Sequence, residues 1–141
     1  MRRNGEIIII EDDEDDRMLL QDIFESLNYA NKITFIEDPM DALSYLANPL
    51  VTPFIILSDI NMPKINGFEL RDQILADDTI RTKCVPYIFL STSKTHENVL
   101  KAYGCRAQGY FKKEDDFMTF KTVIKNIVEY WRTSLTPTNS L

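Results

Sequence analysis

Short runs of apolar residues, most of them β-branched or aromatic, recur along the chain and alternate with longer amphipathic stretches. The runs are too short for helices and predict strands at 6–10, 33–36, 54–57, 87–90 and 109–112. In the stretches between them apolar residues recur every three or four positions, as at Leu20, Ile23 and Leu27, which predicts a helix after each strand. The apolar stripe is weakest at 93–103, where the neighbouring strands still require a crossover.

This alternation of five strands and five helices predicts an α/β fold in which helices cover both faces of a parallel sheet. Burial of both faces explains why residues 7–10 form an unbroken run of isoleucines. A length of 141 residues, 44% of them hydrophobic, suits one globular domain. We expect that domain to cover residues 5–131 and residues 132–141 to form a polar tail, with no output domain.

The net charge of −6 comes from one acidic block. Acids outnumber bases 22 to 16, and without the six acids at 11–16 the two would be equal in number. A chain without a basic excess is not expected to bind nucleic acid, and no apolar run approaches the ~20 residues that span a bilayer. Cys84 and Cys105 fit neither a metal-ligand pair nor a disulfide framework, so both are expected to be buried thiols in a reducing cytoplasm.

Acidic residues follow the first and third predicted strands. Glu11, Asp12 and Asp13 come directly after the first strand, and Asp59 follows the third. Ligands of open parallel sheets bind outside the carboxyl ends of the strands, so these carboxylates share one crevice if the two strands are neighbours. Their mutual repulsion and their hard oxygen donors favour a bound Mg²⁺ or Mn²⁺. The later acids of the block, 14–16, are expected to interact with the dipole of the first helix.

The fourth and fifth predicted strands end in complementary groups. Residues 91–93 supply hydroxyls, and Lys112 and Lys113 supply ammonium groups. Together with the carboxylates, such groups would hold a divalent metal and a phosphoryl group in one crevice. The segment that begins at Asp59 lacks the Gly and Glu that an EF-hand loop requires, and the chain contains no P-loop sequence.

Four motifs, in this order, make the chain resemble the receiver domain of two-component response regulators over about residues 5–131. They are Ile9-Ile10-Glu11-Asp12-Asp13, Ser58-Asp59-Ile60-Asn61-Met62-Pro63, Leu90-Ser91-Thr92-Ser93 and Gly109-Tyr110-Phe111-Lys112-Lys113. The resemblance implies a flavodoxin-like fold with strand order 2-1-3-4-5. It also implies a phosphoacceptor protein, not an enzyme, that receives its phosphoryl group from a sensor histidine kinase or a histidine phosphotransfer protein.

The resemblance assigns the acidic positions to metal binding and phosphoryl acceptance. Asp59 would be the phosphoacceptor. Asp12, Asp59 and the main-chain carbonyl of Asn61 would bind Mg²⁺ (or Mn²⁺) directly, and Glu11 would bind it through water. Asp13 would have a supporting role.

The same resemblance assigns the groups at the ends of the last two strands. Lys113 would pair with the acceptor and then with the phosphoryl group, and Ser91 would be the switch hydroxyl. Thr92 is bulkier than the Ala or Gly common at its position and would narrow access to the phosphoryl group. Glu114 replaces the proline that usually follows the lysine through a cis peptide. This leaves open whether the peptide is trans or cis, and Lys112 is therefore the second candidate for the lysine.

The resemblance also implies that the signal leaves through protein contacts. Ser91 and the aromatic switch residue Tyr110 would move inward after phosphorylation. That movement would alter the face of the fourth predicted helix, the fifth strand and the fifth helix, which carries Val99, Lys101 and Tyr103. This face is expected to bind a downstream protein or a second copy of the chain.

Three other functions compete with a phosphorylation switch. The chain could be a phosphate sink or relay carrier, or a pseudo-receiver that binds partners without being phosphorylated. The third, a hydrolase of the haloacid dehalogenase type, would need a second Asp two residues after its nucleophile, where this chain has Asn61.

Overall fold

The computed structural model, which describes residues 4–137, contains a sheet of five parallel strands in the order β2-β1-β3-β4-β5. The α/β class and the strand order expected from the sequence are confirmed. The strands are β1 (Glu6–Ile10), β2 (Ile33–Ile36), β3 (Pro53–Ser58), β4 (Tyr87–Ser91) and β5 (Gly109–Lys112). Both β3 and β4 extend one residue further at their carboxyl ends than the apolar runs predict.

The described residues form six α-helices, one more than the apolar pattern predicts. They are α1 (Glu14–Leu27), α2 (Ala42–Ala47), α3 (Gly67–Ala76), α4 (Asp78–Arg81), α5 (His96–Gly104) and α6 (Phe117–Thr133), and a 3₁₀ turn (Pro39–Asp41) precedes α2. The additional helix, α4, arises at Asp77. This residue leaves α3 with an extended backbone, and its side chain accepts a hydrogen bond from the N–H of Ile80 at 3.1 Å.

The predicted fourth and fifth helices are therefore α5 and α6. Helix α6 ends at Thr133, inside the segment expected to be a polar tail, and residues 138–141 of that segment lie outside the described residues.

The sheet separates two apolar clusters, one on each face. Ile7 and Ile9 pack with residues of α1 and α6 on one face, whereas Ile8 and Ile10 pack with residues of α2, α3 and α4 on the other. Side chains of a strand alternate between the two faces, so a strand buried on both sides must be apolar at every position. This is the physical basis of the isoleucine run in β1.

Polar side chains mark the starts of the helices. The side chain of Asp13 accepts a hydrogen bond from the N–H of Asp16 at 2.9 Å and begins α1. At the start of α3, Asn66 and Glu69 form a reciprocal capping box. These caps satisfy N–H groups that have no partner within the helix. Part of the acidic block is thus explained by the need to begin a helix directly after β1.

The guanidinium of Arg71 is buried in the contact between α3 and the turn before β5. Arg71 is only 6% exposed. Its Nε donates to the carbonyl of Cys105 at 3.1 Å and its Nη2 to the carbonyl of Arg106 at 2.9 Å. The group also lies 4.6 Å from the ring centroid of Tyr87, so dipoles and an aromatic face balance its charge.

The expectation that both cysteines are buried is wrong for Cys84. Cys105 is buried, but Cys84 is exposed in the turn between α4 and β4. It has left-handed backbone geometry with a φ of 52°. Its exposure depends on the path of this turn, which the spacing of apolar residues does not reveal.

Among residues 4–137, no helix combines the length and the apolar character needed to cross a lipid bilayer.

The close approach of α3 to the end of β3 yields a stability prediction. A Cβ on Gly67 would overlap the carbonyl oxygen of Asp59 and lie 2.9 Å from the Cα of Ile60. We expect Gly67→Ala to lower the free energy of unfolding by about 1–3 kcal/mol, as overpacking does, in a urea titration.

Gly104→Ala is the matched control, because a Cβ there meets no atom within 4 Å. In helix α5 the added methyl should leave stability unchanged or raise it by up to ~1 kcal/mol. Equal destabilisation by the two variants would contradict the proposed steric cause.

Candidate functional site

The carboxyl ends of β1 and β3 bring acidic side chains together. Ile10 pairs with Ser58, and the N–H of Asp59 donates to the carbonyl of Ile10 at 2.9 Å, so the residues that follow the two strands are neighbours. Glu11 is 2% and Asp59 8% exposed, and Asp12 is half-buried. Carboxylate oxygens of these three residues lie within 4.8 Å of one another.

Burial and crowding make negative charge costly at this edge. Burial raises the pKa of Glu11; the Lys113 ammonium opposes this effect and the Asp59 carboxylate adds to it. Burial also raises the pKa of Asp12, with a smaller contribution from Asp59. These carboxylates repel one another when ionised, so a cation bound between them would stabilise their charged forms.

Lys113 supplies positive charge to the cluster. Its N–H donates to the carbonyl of Ser91 at 2.8 Å, which extends the pairing of β5 with β4 beyond the last strand residue. The ammonium Nζ lies 2.5 Å from Glu11 Oε1, 2.8 Å from Asp16 Oδ2 and 3.3 Å from Asp59 Oδ1. Burial alone would lower the pKa of Lys113, but the negative charge of Glu11 and the hydrogen bond with Asp16 outweigh it, so the pKa is raised.

Of the two candidate lysines, the structure brings Lys113 to the acids and leaves Lys112 exposed. All peptide bonds in the described residues are trans, including the one between Lys113 and Glu114. The lysine therefore reaches the cluster without the cis peptide that a proline would favour.

Ser91, at the end of β4, and Tyr110, in β5, both form hydrogen bonds with Ser93. The buried Oγ of Ser91 accepts a hydrogen bond from the N–H of Ser93 at 3.1 Å, and Tyr110 donates its OH to the carbonyl of Ser93 at 2.6 Å. Thr92, between the two serines, is exposed. The two expected switch residues thus hold opposite ends of one residue in the loop that leads to α5.

Asn61 and Asp13 are exposed, in contrast to the buried residues of the cluster. Asn61 is exposed in the loop that follows Asp59, in which Lys64 adopts left-handed geometry and pairs with Asp38 at 3.1 Å. Asp13 is exposed, and its side chain caps α1.

Asp16 is the site residue that the sequence reasoning missed. The sequence predicts that it interacts with the helix dipole like its neighbours, but its carboxylate binds Lys113. The signal was the helical phase: Asp16 is four residues before Leu20 and seven before Ile23, both of which are buried. A first-turn acid in phase with the buried stripe faces the sheet edge, whereas Asp15 is exposed.

The arrangement has a definite chemical capacity. Clustered carboxylate oxygens are the donors that Mg²⁺ and Mn²⁺ prefer, and Glu11, Asp12 and Asp59 provide three of them. Both the N–H of Ile60 (2.7 Å) and the ammonium of Lys113 (3.3 Å) contact Oδ1 of Asp59. Positive charge and an N–H donor therefore both lie at one oxygen of the Asp59 carboxylate.

Comparison with known proteins gives matches over nearly the whole chain. The chain is 30% identical over 129 residues to the probable methanogenesis regulatory protein FilR2 of Methanothrix harundinacea. The aligned residues cover 89% of this chain and 82% of that protein. It is 23% identical over 135 residues to the response regulator Rcp1 of Synechocystis sp., covering 92% and 90% of the two chains.

Solved structures share the fold. The phosphorylated cyanobacterial phytochrome response regulator RcpA superposes with a TM-score of 0.82 at 27% identity, over 94% of this chain and 97% of that chain. The Mn²⁺-bound form of Rcp1 superposes with a TM-score of 0.79 at 22% identity, over the same shares of the two chains. The profile of the response regulator receiver domain matches residues 7–125. The chain therefore belongs to the response regulator receiver family.

Proposed function

We propose that the chain accepts a phosphoryl group on Asp59 from a sensor histidine kinase or a histidine phosphotransfer protein in the cytoplasm. The observation that carries the proposal is the position of Asp59. Its carboxylate is buried at the end of β3, beside the oxygens of Glu11 and Asp12 and 3.3 Å from the ammonium of Lys113. A buried acid that faces both a cation and a potential metal site is suited to accept a phosphoryl group.

We assign Mg²⁺ or Mn²⁺ binding to Asp12, Asp59 and the main-chain carbonyl of Asn61, with Glu11 acting through water. The clustered carboxylate oxygens fit such an ion, and the relative Rcp1 has been solved in a Mn²⁺-bound form. When bound, the ion supplies positive charge that offsets the negative charge of the phosphoryl oxygens. The rest of the chemistry rests on the side chains of the chain itself.

In the proposed transfer, an oxygen of Asp59 forms a bond to phosphorus while the P–N bond of the donor phosphohistidine breaks. The electron pair of that bond stays on the imidazole, and the product is an acyl phosphate on Asp59. The ammonium of Lys113, already 3.3 Å from Asp59, stabilises negative charge on the transferred group. The chain acts as a phosphoacceptor in this exchange, and the kinase or phosphotransfer protein is the donor.

Switching follows from the shared contact at Ser93. If the hydroxyl of Ser91 turns toward a phosphoryl group, it releases the N–H of Ser93. The carbonyl of Ser93 is held by Tyr110, so the loop and Tyr110 are expected to rearrange together, with Thr92 limiting access to the phosphoryl group. The output face of α5, β5 and α6 then changes. In the structure this face already carries exposed large apolar side chains, those of Leu100, Tyr103, Phe111, Met118 and Tyr130. We assign this face to a downstream protein or a second copy of the chain.

The first test is chemical. Incubation with acetyl phosphate and Mg²⁺ should add one phosphoryl group, detected by intact mass and lost in hydroxylamine. Asp59→Asn should abolish the addition, while Asp15→Asn, which removes the same charge from an exposed residue, should leave it intact. Addition to the Asp59 variant, or none to the wild type at saturating donor and metal, would contradict the assignment of the acceptor.

The second test concerns the metal. Asp12→Ala should weaken Mg²⁺ binding by roughly 10–100-fold or more in a calorimetric titration, because a direct ligand is lost. Asp15→Ala should change the affinity little, since its side chain is exposed on α1. An equal loss in both variants would mean that the acidic block attracts the ion diffusely.

The third test concerns output. Beryllofluoride with Mg²⁺ mimics a bound phosphoryl group, and it should shift the amide resonances of α5 and β5 more than those of α2 and α3. The physical reason is that Ser93 connects the site to α5. Shifts confined to the surroundings of Asp59 would instead favour a phosphate sink or relay carrier.

A further inference from the structure

Asp16 differs from the other acids at the start of α1. Its side chain is 34% exposed and lies 2.8 Å from the ammonium of Lys113, whereas Asp15 and Glu14 are exposed. The contact links the first turn of α1 to the end of β5, across 97 residues of sequence. It is a tertiary ion pair at the centre of the site and not an incidental pair on the surface of one helix.

The ammonium of Lys113 has three N–H groups and three carboxylate neighbours. Its distances rank them as Glu11 at 2.5 Å, Asp16 at 2.8 Å and Asp59 at 3.3 Å. Asp59, the proposed acceptor, thus has the longest of the three contacts. A phosphoryl group on Asp59 can take over the N–H now directed at Asp59, but a second N–H of Lys113 reaches it only if Glu11 or Asp16 gives one up.

Of Glu11 and Asp16, Asp16 releases Lys113 more easily. Glu11 is 2% exposed, and breaking its pair would leave a buried charge without a partner. Asp16 reaches solvent, so water can replace the lysine at low cost. Until it is replaced, the Asp16 carboxylate also adds negative charge close to the path of an anionic phosphoryl donor.

We propose that Asp16 is a positioning residue that competes with Asp59 for the ammonium of Lys113 in the resting protein and so restrains the uptake of a phosphoryl group. This inference rests on the proposed function and deepens it by naming a residue that sets how readily Asp59 is occupied. Asp16 acts through Lys113 and touches neither the acceptor oxygen nor the incoming group.

The test compares Asp16→Asn with Asp15→Asn. Both variants remove one charge from the first turn of α1, so they alter net charge and the helix dipole alike. Asp16→Asn should bind beryllofluoride about threefold more tightly than wild type at saturating Mg²⁺, as expected for loss of one partly exposed ion pair. It should take up a phosphoryl group from acetyl phosphate faster by a similar factor, whereas Asp15→Asn should match wild type in both measurements. Asp16→Ala should reproduce Asp16→Asn.

A second readout needs no phosphoryl ligand. The ¹⁵Nζ resonance of Lys113, assigned by its loss in Lys113→Gln, should move in Asp16→Asn and stay in place in Asp15→Asn. An unmoved resonance, or an affinity for beryllofluoride equal to or below that of Asp15→Asn, would overturn the role of Asp16 and leave the proposed function standing. A wild-type protein that binds no beryllofluoride at saturating Mg²⁺ would overturn the proposed function and this role with it.

Discussion

The ammonium of Lys113 balances the negative charge that the sheet concentrates at one edge. Strands β1 and β3 are parallel neighbours, so the acids that follow them meet, and burial removes much of the water that would screen their repulsion. The compensating lysine arrives from the far edge of the sheet, through the pairing of β3 with β4 and of β4 with β5. The site therefore exists only when β1, β3, β4 and β5 are assembled into one sheet.

The same ammonium links charge balance to conformational change. Its three carboxylate partners lie at different depths, from the buried Glu11 to the partly exposed Asp16, so the cost of losing each pair differs. Under the proposed function, a new anionic group on Asp59 would redistribute these contacts and those of Ser91. Because Ser91 and Tyr110 both hold Ser93, a change beside the acids reaches the start of α5 through two hydrogen bonds.

Arg71 is also a buried cation, but its partners differ in kind from those of Lys113. Arg71 is held by main-chain carbonyls and the face of Tyr87, with no carboxylate within ion-pair distance among the described residues. Its partners are neutral dipoles fixed by the backbone, so it ties α3 to the turn before β5 whatever the charge state of the site. Lys113 is held by acidic side chains, which a new anion at the site can replace as its partners. Only the second arrangement can respond to a new anion at the site.

Local patterns determined the strands, most of the helices and the acids at the strand ends. A strand buried on both faces must be apolar throughout, and polar residues follow where the chain leaves the sheet. The isoleucines of β1 and the acid Glu11 after them can therefore be recognised from the sequence alone. The choice of Lys113 over Lys112, the pairing of Asp16 with Lys113, the buried guanidinium of Arg71 and the exposure of Cys84 were decided by the tertiary structure. Each depends on a contact between distant segments or on a turn whose geometry no short stretch specifies. The neighbouring residues along the chain determine which face of a strand or helix a residue occupies. The charges and dipoles that it contacts belong to distant segments, which become its neighbours only when the chain folds.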